Sequence, residues 1–192
     1  MNYLEPVTLE GKHIRLEPLD PATHAPEMFV HFEPRVTEFL SRGGKPIESA
    51  SDLAAHLSEL NTVPQRLNWA VRIIKTGAVA GRISYSQVNP QDKWIEVGTM
   101  LMPAFWGSTA NPEGKLLLLT RAFEILGANR VQFKVDARNE RSQGSMAKIG
   151  AVREGILRQY QIRPDGYVRD SVMYSVLASE WAEVKQKLET RL

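Results

Sequence analysis

The chain has 192 residues, 43% of them hydrophobic, and its 24 basic and 22 acidic side chains leave a formal net charge of +2. This length suits one hydrophobic core, so we expect a single domain over residues 1–192. The basic residues are scattered along the chain, which argues against a nucleic-acid partner. The absence of Cys excludes disulfides, thiolate metal ligands and a Cys nucleophile.

No segment predicts a membrane span or an export signal. The first residues, 1–6, lack a basic stretch followed by an apolar core, and the longest leucine run, 116–119, is far too short to cross a bilayer. The histidines lack the spacing and the neighbours of a metal site: His13, His24, His31 and His56. We therefore expect a cytoplasmic protein that binds neither a membrane nor a metal.

The first half of the chain predicts an antiparallel set of strands and two helices. Alternation of apolar and polar residues indicates strands at 13–17, 67–73, 79–88 and 94–102. Apolar residues at helical spacing indicate helices at 22–33 and 49–61, with a flexible loop at 41–46 between them. The last three strands follow one another closely, so they predict a meander.

The second half alternates helices and strands. Helices are predicted at 110–126, at 139–149 and from residue 179 or 180 to the end, and strands at 130–135, 152–162 and 167–177. The last two strands are joined by Arg163-Pro164-Asp165-Gly166, which is typical of a hairpin turn. Hairpins combined with one strand–helix–strand crossover predict an α+β fold. Its sheet is mixed and mostly antiparallel, with helices on both faces.

The loop over 105–112 follows a buried strand and opens a helix directly. A helix that begins in this way presents unpaired backbone N–H groups and the positive end of its dipole. Both features favour an anionic ligand such as a phosphate. The sequence therefore predicts a nucleotide or coenzyme site at this loop.

Several short motifs, in their order and spacing, resemble the GCN5-related N-acetyltransferase (GNAT) family, and within it the RimJ/RimL-like branch. They are Ile95 to Gly98, Asp136 to Ser142, Lys148 to Ala151, Arg153 to Gly155 and Asp170 to Ser175. The resemblance covers nearly the whole chain and implies the GNAT fold. It also implies an enzyme that moves an acetyl group from acetyl-CoA, its co-substrate, to a primary amine by direct attack.

The resemblance assigns residues to the binding of acetyl-CoA. The loop would wrap the pyrophosphate with the backbone of Trp106, Gly107, Ser108, Thr109, Ala110 and Asn111. The pantetheine arm would lie in a notch beside the backbone of Met100, Leu101 and Met102, and Asn139 and Ser142 would contact the cofactor. Thr109 and Asn111 stand where the family usually has small residues. We expect a reshaped cradle, because a β-branched Thr109 resists positive φ.

Acetyl transfer requires a base for the amine and an acid for the departing thiolate. The usual acid position of the family holds Met146, which cannot donate a proton. RimL-like relatives use the Ser at the position of Ser142, so the resemblance implies Ser142 as the acid, or only as a hydrogen-bonding partner of the cofactor. The Glu of the RimL-like branch is matched by Gln161, so we assign the base to Glu96, acting through water. Glu96 has two alternatives, a structural carboxylate or a strand residue that faces solvent. Tyr160 and Asp170 would line the acceptor pocket, or serve only in packing.

The acceptor stays open between a protein N-terminus and a small amine, because a fold does not decide a substrate. A homodimer through the last strands or helix is implied by the resemblance. Two alternatives come from other classes. A catalytically degenerate acyl-CoA-binding or interaction protein is favoured by the missing loop glycines, Met146 and Gln161. A nucleotide-binding βαβ protein is weakened, because no G-x-G-x-x-G follows a strand.

Overall fold

The computed structural model describes residues 2–40, 46–163 and 165–192. Its strands are β1 Leu9–Glu10, β2 Ile14–Pro18, β3 Leu67–Ile73, β4 Val79–Asn89, β5 Trp94–Leu101, β6 Arg130–Asp136, β7 Val152–Ile162 and β8 Val168–Leu177. Its helices are α1 Pro21–Phe29, α2 Ala50–Asn61, α3 Ala110–Thr120, α4 Glu140–Ile149 and α5 Trp181–Glu189. Residues 41–45 of the predicted loop and residue 164 of the predicted turn lie outside the described residues.

The strands form one eight-stranded sheet in the order β1-β2-β3-β4-β5-β6-β8-β7. Neighbouring strands are antiparallel, except that β5 and β6 run parallel. The parallel pair needs a crossover, and α3 supplies it. This arrangement confirms the predicted α+β fold with a mixed, mostly antiparallel sheet.

Helices cover both faces of the sheet, because strand residues alternate between two cores. One core contains Leu101 of β5 and residues of α3, α4 and α5. The other contains the adjacent Met100 and residues of α1 and α2. The sheet therefore separates an α3/α4/α5 side from an α1/α2 side, and each side of a strand can present different chemistry.

The structure differs from the predicted elements at three places. The structure contains a two-residue strand, β1, that the sequence does not predict, because it is too short to produce a periodic pattern. The first predicted helix, 22–33, ends at Phe29, and a separate 3₁₀ turn follows at Pro34–Thr37. The predicted helix 110–126 is an α-helix to Thr120 that continues as a π-helix over Arg121–Ile125. Wider helical turns leave the apolar periodicity almost unchanged, so the pattern does not reveal them.

A buried carboxylate joins α3 to the start of β2. Glu113 is 2% exposed. Its carboxylate accepts hydrogen bonds from the backbone N–H groups of Lys12, His13 and Ile14. Gly11 leaves the space for it, since a Cβ there would lie 2.5 Å from Glu113 Oε1. This contact fastens the first turn of α3, and thus the loop before it, to the sheet.

Replacing Glu113 with Ala is expected to lower the free energy of unfolding by about 2–4 kcal/mol, because three backbone donors lose a charged acceptor. Urea unfolding followed by circular dichroism measures the change. Glu59→Ala, at an exposed position of α2, is the control and should stay within about 0.5 kcal/mol of the parent. Equal effects of the two variants would contradict this role of Glu113.

Candidate functional site

The parallel strands β5 and β6 separate partway along their length. Within the described chain, their pairing covers only Trp94 with Arg130, Ile95 with Val131 and Glu96 with Gln132. Beyond this point β5 still pairs with β4 as far as residue 101, and β6 pairs with β8 as far as residue 136. A notch therefore opens between the two strands, as the resemblance predicts.

Two cavities meet at this notch. The first, which we call the loop cleft, measures about 210 Å³ and lies on the α3/α4/α5 side, with Asn111, Ser142 and Ser145 in its lining. The second, the basic pocket, measures about 500 Å³ and lies on the α1/α2 side, with Arg82 and Glu96 in its lining. Residues 97–99 at the notch line both cavities, so the notch connects them.

In the loop before α3, the residue with a positive φ is Gly107, at 78°. Thr109 has a φ of −67° and a ψ of −14°, which is ordinary helical backbone. The expectation that Thr109 would oppose the backbone of the loop is therefore wrong, because the left-handed residue lies two positions earlier. The helix begins at Ala110, with Thr109 as its N-cap residue.

Three backbone N–H groups of this loop are open. Those of Gly107, Thr109 and Asn111 have no hydrogen-bond acceptor among the described residues. The N–H of Ser108 donates to the Phe105 carbonyl, and that of Ala110 donates to Ser108 Oγ. The open donors lie at the N-terminus of the 11-residue helix α3. Together with the positive end of the helix dipole they give this loop the features that suit an anion.

Cations line the mouth of the loop cleft around Trp106. The guanidinium of Arg141 lies 3.2 Å from the centre of the Trp106 ring, and that of Arg35 lies 5.0 Å from it. Burial and the nearby Arg35 lower the pKa of Arg141. The Trp106 Nε1–H donates to the Leu101 carbonyl over 2.7 Å, which fixes the ring beside the notch. Arg35 Nε pairs with Glu33 Oε2 over 2.8 Å, so Arg141, which lines the cleft, is the arginine that an anion there would neutralise most directly.

The backbone groups of β5 that face the notch differ from those predicted. The Met102 N–H donates to the Ala80 carbonyl of β4, and the Met102 carbonyl accepts from Phe105. Met100 is two residues earlier and therefore also faces β4. Met100 and Met102 thus have their backbone groups turned away from the notch. By the same alternation Val97, Thr99 and Leu101 face it.

At the N-terminus of α4, Asn139 is the N-cap residue. Its Oδ1 accepts a hydrogen bond from the Ser142 N–H over 3.0 Å. The hydroxyl of Ser142 has no hydrogen-bond partner within the described part of the chain, and Ser142 lines the loop cleft. One turn later Met146 is buried and carries no proton to donate. Asn139 and Ser142 both line the loop cleft.

Sequence reasoning missed a polar group in the loop cleft. Lys115 on α3 is 3% exposed. Its ammonium donates to Asn111 Oδ1, and the Asn111 amide donates to Ser145 Oγ over 3.0 Å. Burial, with the nearby Arg191, lowers the pKa of Lys115 to about 7. The spacing of Asn111 and Lys115, one helical turn, is the sequence signal that would have found the pair.

Glu96 lies at the vertex of the notch, on the side of the basic pocket. Its carboxylate accepts from Ser86 Oγ over 2.9 Å, from Gln132 Nε2 over 3.3 Å and from Lys134 Nζ over 3.4 Å. The side chain is 10% exposed. Its carboxylate is therefore fixed by hydrogen bonds and also lines a cavity, as a base that acts through a water molecule would need.

Of the two residues that were predicted to line the acceptor pocket, the structure places only Tyr160 at a cavity. Tyr160 lines the basic pocket, and its ring centre lies 5.0 Å from Lys134 Nζ. Asp170 is absent from the lining of both cavities. Its carboxylate instead accepts from the Gln159 N–H over 2.6 Å, at the irregular part of β7. The assignment of Asp170 to the acceptor pocket is therefore wrong. Its neighbour Arg169 faces the basic pocket, and because side chains alternate along β8, Asp170 points away from it.

The known proteins that resemble this chain in sequence or structure are named as acetyltransferases. The family model of the acetyltransferase (GNAT) domain matches residues 13–152. A crystal structure described as a "putative acetyltransferase" from T. thermophilus is 51% identical, covers 100% of both chains and has a TM-score of 0.93. The "Putative ribosomal N-acetyltransferase YdaF" of Bacillus subtilis (strain 168) is 26% identical over 180 residues, 89% of this chain and 94% of that protein.

A more distant structure, Mycobacterium smegmatis RimJ in complex with CoA-disulfide, is 18% identical with a TM-score of 0.77 and covers 96% of this chain and 94% of that chain. At this identity the likeness shows the fold alone. The described residues contain no group of three or more His, Asp or Glu side chains placed to hold a metal ion. None of their helices has the length and apolar character needed to cross a membrane.

Lys115→Met is expected to stabilise the protein without ligand by about 2 kcal/mol at pH 6 and by less at pH 9. The folded-state pKa of Lys115, about 7, lies below its ordinary value of 10.5. The cost of burying the charge is therefore complete below pH 7 and declines as the pH rises toward 10.5. Urea unfolding at the two pH values tests this, with the exposed Lys75→Met as control. A gain that does not depend on pH would contradict it.

Proposed function

Given that the chain belongs to the GNAT acetyltransferase family, we propose that it transfers the acetyl group of acetyl-CoA to a primary amine by direct attack. The observation that carries this proposal is the notch between β5 and β6, with an anion-binding loop at one end and a held carboxylate at the other. These features lie on the two sides of one sheet and are connected through the notch.

In the proposed complex the pyrophosphate of acetyl-CoA accepts hydrogen bonds from the open N–H groups of the loop at Gly107, Thr109 and Asn111. Arg141 and Arg35 at the mouth supply positive charge. The pantetheine arm then runs along the unpaired edge of β5, beside Val97 and Thr99. A protein of the same fold, RimJ of Mycobacterium smegmatis, is seen in complex with CoA-disulfide.

The proposed reaction proceeds without a covalent enzyme intermediate. The amine enters through the basic pocket and loses a proton to Glu96 through a water molecule. Its nitrogen then attacks the thioester carbonyl carbon, the C–S bond breaks, and the Ser142 hydroxyl donates a proton to the departing thiolate. Ser142 lies on the loop-cleft side and Glu96 on the other side, so the acid and the base act from opposite sides of the reacting carbon.

The acceptor belongs to the proposal. A protein N-terminus, as acted on by the RimJ/RimL-like branch, draws support from the likeness to a protein named for ribosomal N-acetylation. A small amine is compatible with the same pocket. We also propose a homodimer, because β7 is an edge strand with exposed apolar side chains, among them Ile156 and Ile162 at 47% and 71% exposure.

Gly107→Ala is expected to weaken acetyl-CoA binding by at least about tenfold, because the added Cβ opposes the positive φ that aims the loop N–H groups. Isothermal titration calorimetry measures the dissociation constant. Gly77→Ala is a matched control. Gly77 has a φ of 74°, and a Cβ at either glycine meets nothing within 4 Å. Both variants lose similar stability, so equal acetyl-CoA affinities would contradict the proposed cradle.

Glu96→Gln is expected to lower kcat by about 10²-fold, and Ser142→Ala by about tenfold, because each removes a proton-transfer group. Acetyl-CoA affinity should stay within about threefold in both. Thiol release with an amine panel measures turnover, and the exposed Glu10→Gln is the control. Normal turnover in both variants would overturn the two assignments. Tight acetyl-CoA binding by the parent protein without thiol release from any amine would favour the degenerate binding protein.

A further inference from the structure

The basic pocket contains more positive charge than its carboxylate balances. Its lining includes four cations, Arg66, Arg82, Lys134 and Arg169, and one carboxylate, Glu96. Lys134 Nζ lies 3.4 Å from Glu96 Oε2, and Arg169 Nε lies 3.6 Å from Asp136 Oδ2. These two cations therefore have acidic partners, and Arg66 donates hydrogen bonds to Asn68 Oδ1 and Ser84 Oγ.

Arg82 has no such partner. It is 6% exposed, and its Nε has no hydrogen-bond acceptor among the residues that the structure describes. In the part of the chain that the structure describes, no carboxylate forms an ion pair with it. Burial and the neighbouring Arg66 lower the pKa of Arg82. A buried guanidinium without a counter-ion costs free energy, and a bound anion would remove that cost.

The other titratable neighbour of Arg82 is no counter-ion either. His56 on α2 is 8% exposed, and its Nε2 has no hydrogen-bond partner in the described ranges 2–40, 46–163 and 165–192. Burial and the charges of Arg82 and Arg66 lower the pKa of His56 to about 4. The imidazole is therefore neutral at pH 7, and this end of the pocket keeps a positive potential.

The cationic end lies close to Glu96 along β4. Arg66 donates to Ser84 Oγ over 3.0 Å, and Ser86 donates to Glu96 over 2.9 Å. Ser84 and Ser86 both lie beside Gly98 of β5, since a Cβ built there would be 3.4 Å from Ser84 Oγ and 3.7 Å from Ser86 Oγ. The group that Arg66 contacts and the group that Glu96 contacts are therefore close neighbours, a span that one small molecule with an anionic group and an amine can bridge.

We propose that the acceptor is an amine that carries its own carboxylate a few bonds away, as a free amino acid does. The carboxylate binds Arg82 and Arg66, and the amine faces Glu96. A planar guanidinium suits a carboxylate, since it donates two parallel hydrogen bonds to it. This inference rests on the proposed function, and it names the substrate class for the same site.

The test compares free amino acids with their amides, which have the same amine without the carboxylate. Thiol release with acetyl-CoA should give a kcat/KM at least about tenfold higher for the acids. Arg82→Met should abolish this preference and leave acetyl-CoA affinity unchanged, whereas Arg82→Lys should keep part of it. The control is Arg15→Met, a half-exposed position outside both cavities. Equal rates for acids and amides with the parent protein would overturn the inference.

A second readout keeps the inference testable if turnover is absent. An N-acetyl amino acid should raise the melting temperature of the parent protein more than its N-acetyl amide does, and this difference should vanish in Arg82→Met. Failure of catalysis with a retained difference would reject the proposed function and keep the anion site. No difference would overturn the site. A clear preference for peptides over free amino acids would also overturn it, because the acceptor would then be a polypeptide.

Discussion

The arrangement of the candidate site depends on one interruption of hydrogen bonding, the end of the β5–β6 ladder after Glu96 and Gln132. Parallel strands that diverge leave backbone N–H and C=O groups without partners, and such groups must be satisfied elsewhere when they are buried. On β5 the residue beyond the last ladder pair whose backbone groups face the notch is Thr99, because the alternate residues stay bonded to β4. The cost of these unpaired groups falls when an extended molecule with its own amides lies in the notch.

The sheet also divides the chemistry between its two sides. The loop cleft has backbone donors at a helix N-terminus and arginines at its mouth, which suit phosphates. The basic pocket has buried arginines and the carboxylate of Glu96, which suit a molecule with both charges. Because side chains alternate along each strand, the adjacent Met100 and Leu101 of β5 pack into different cores, whereas residues 97–99 at the notch line both cavities. The notch is the passage through which the two sides connect.

Much of this could be predicted from the sequence. Strand alternation and helical spacing placed β3 to β8 and α2 to α4 within a few residues, and the loop before α3 was predicted as an anion site because a helix opens directly after a strand. The errors concerned the backbone conformation of the loop and the direction in which strand residues point. Thr109 was expected to need positive φ, which the chain places at Gly107. Asp170 and Met102 were assigned to the site, although one faces Gln159 and the other is bonded to β4.

The sequence by itself determined the order of the elements, the two-sided sheet and the helix N-terminus, because these follow from local periodicity and short-range backbone geometry. The charge of the basic pocket was decided only by the tertiary structure. Arg66, Arg82, Lys134 and Arg169 come from separate strands or strand ends and are far apart in the chain. No local pattern marks them, since their common position results from strand order and register, and their effect depends on burial away from water.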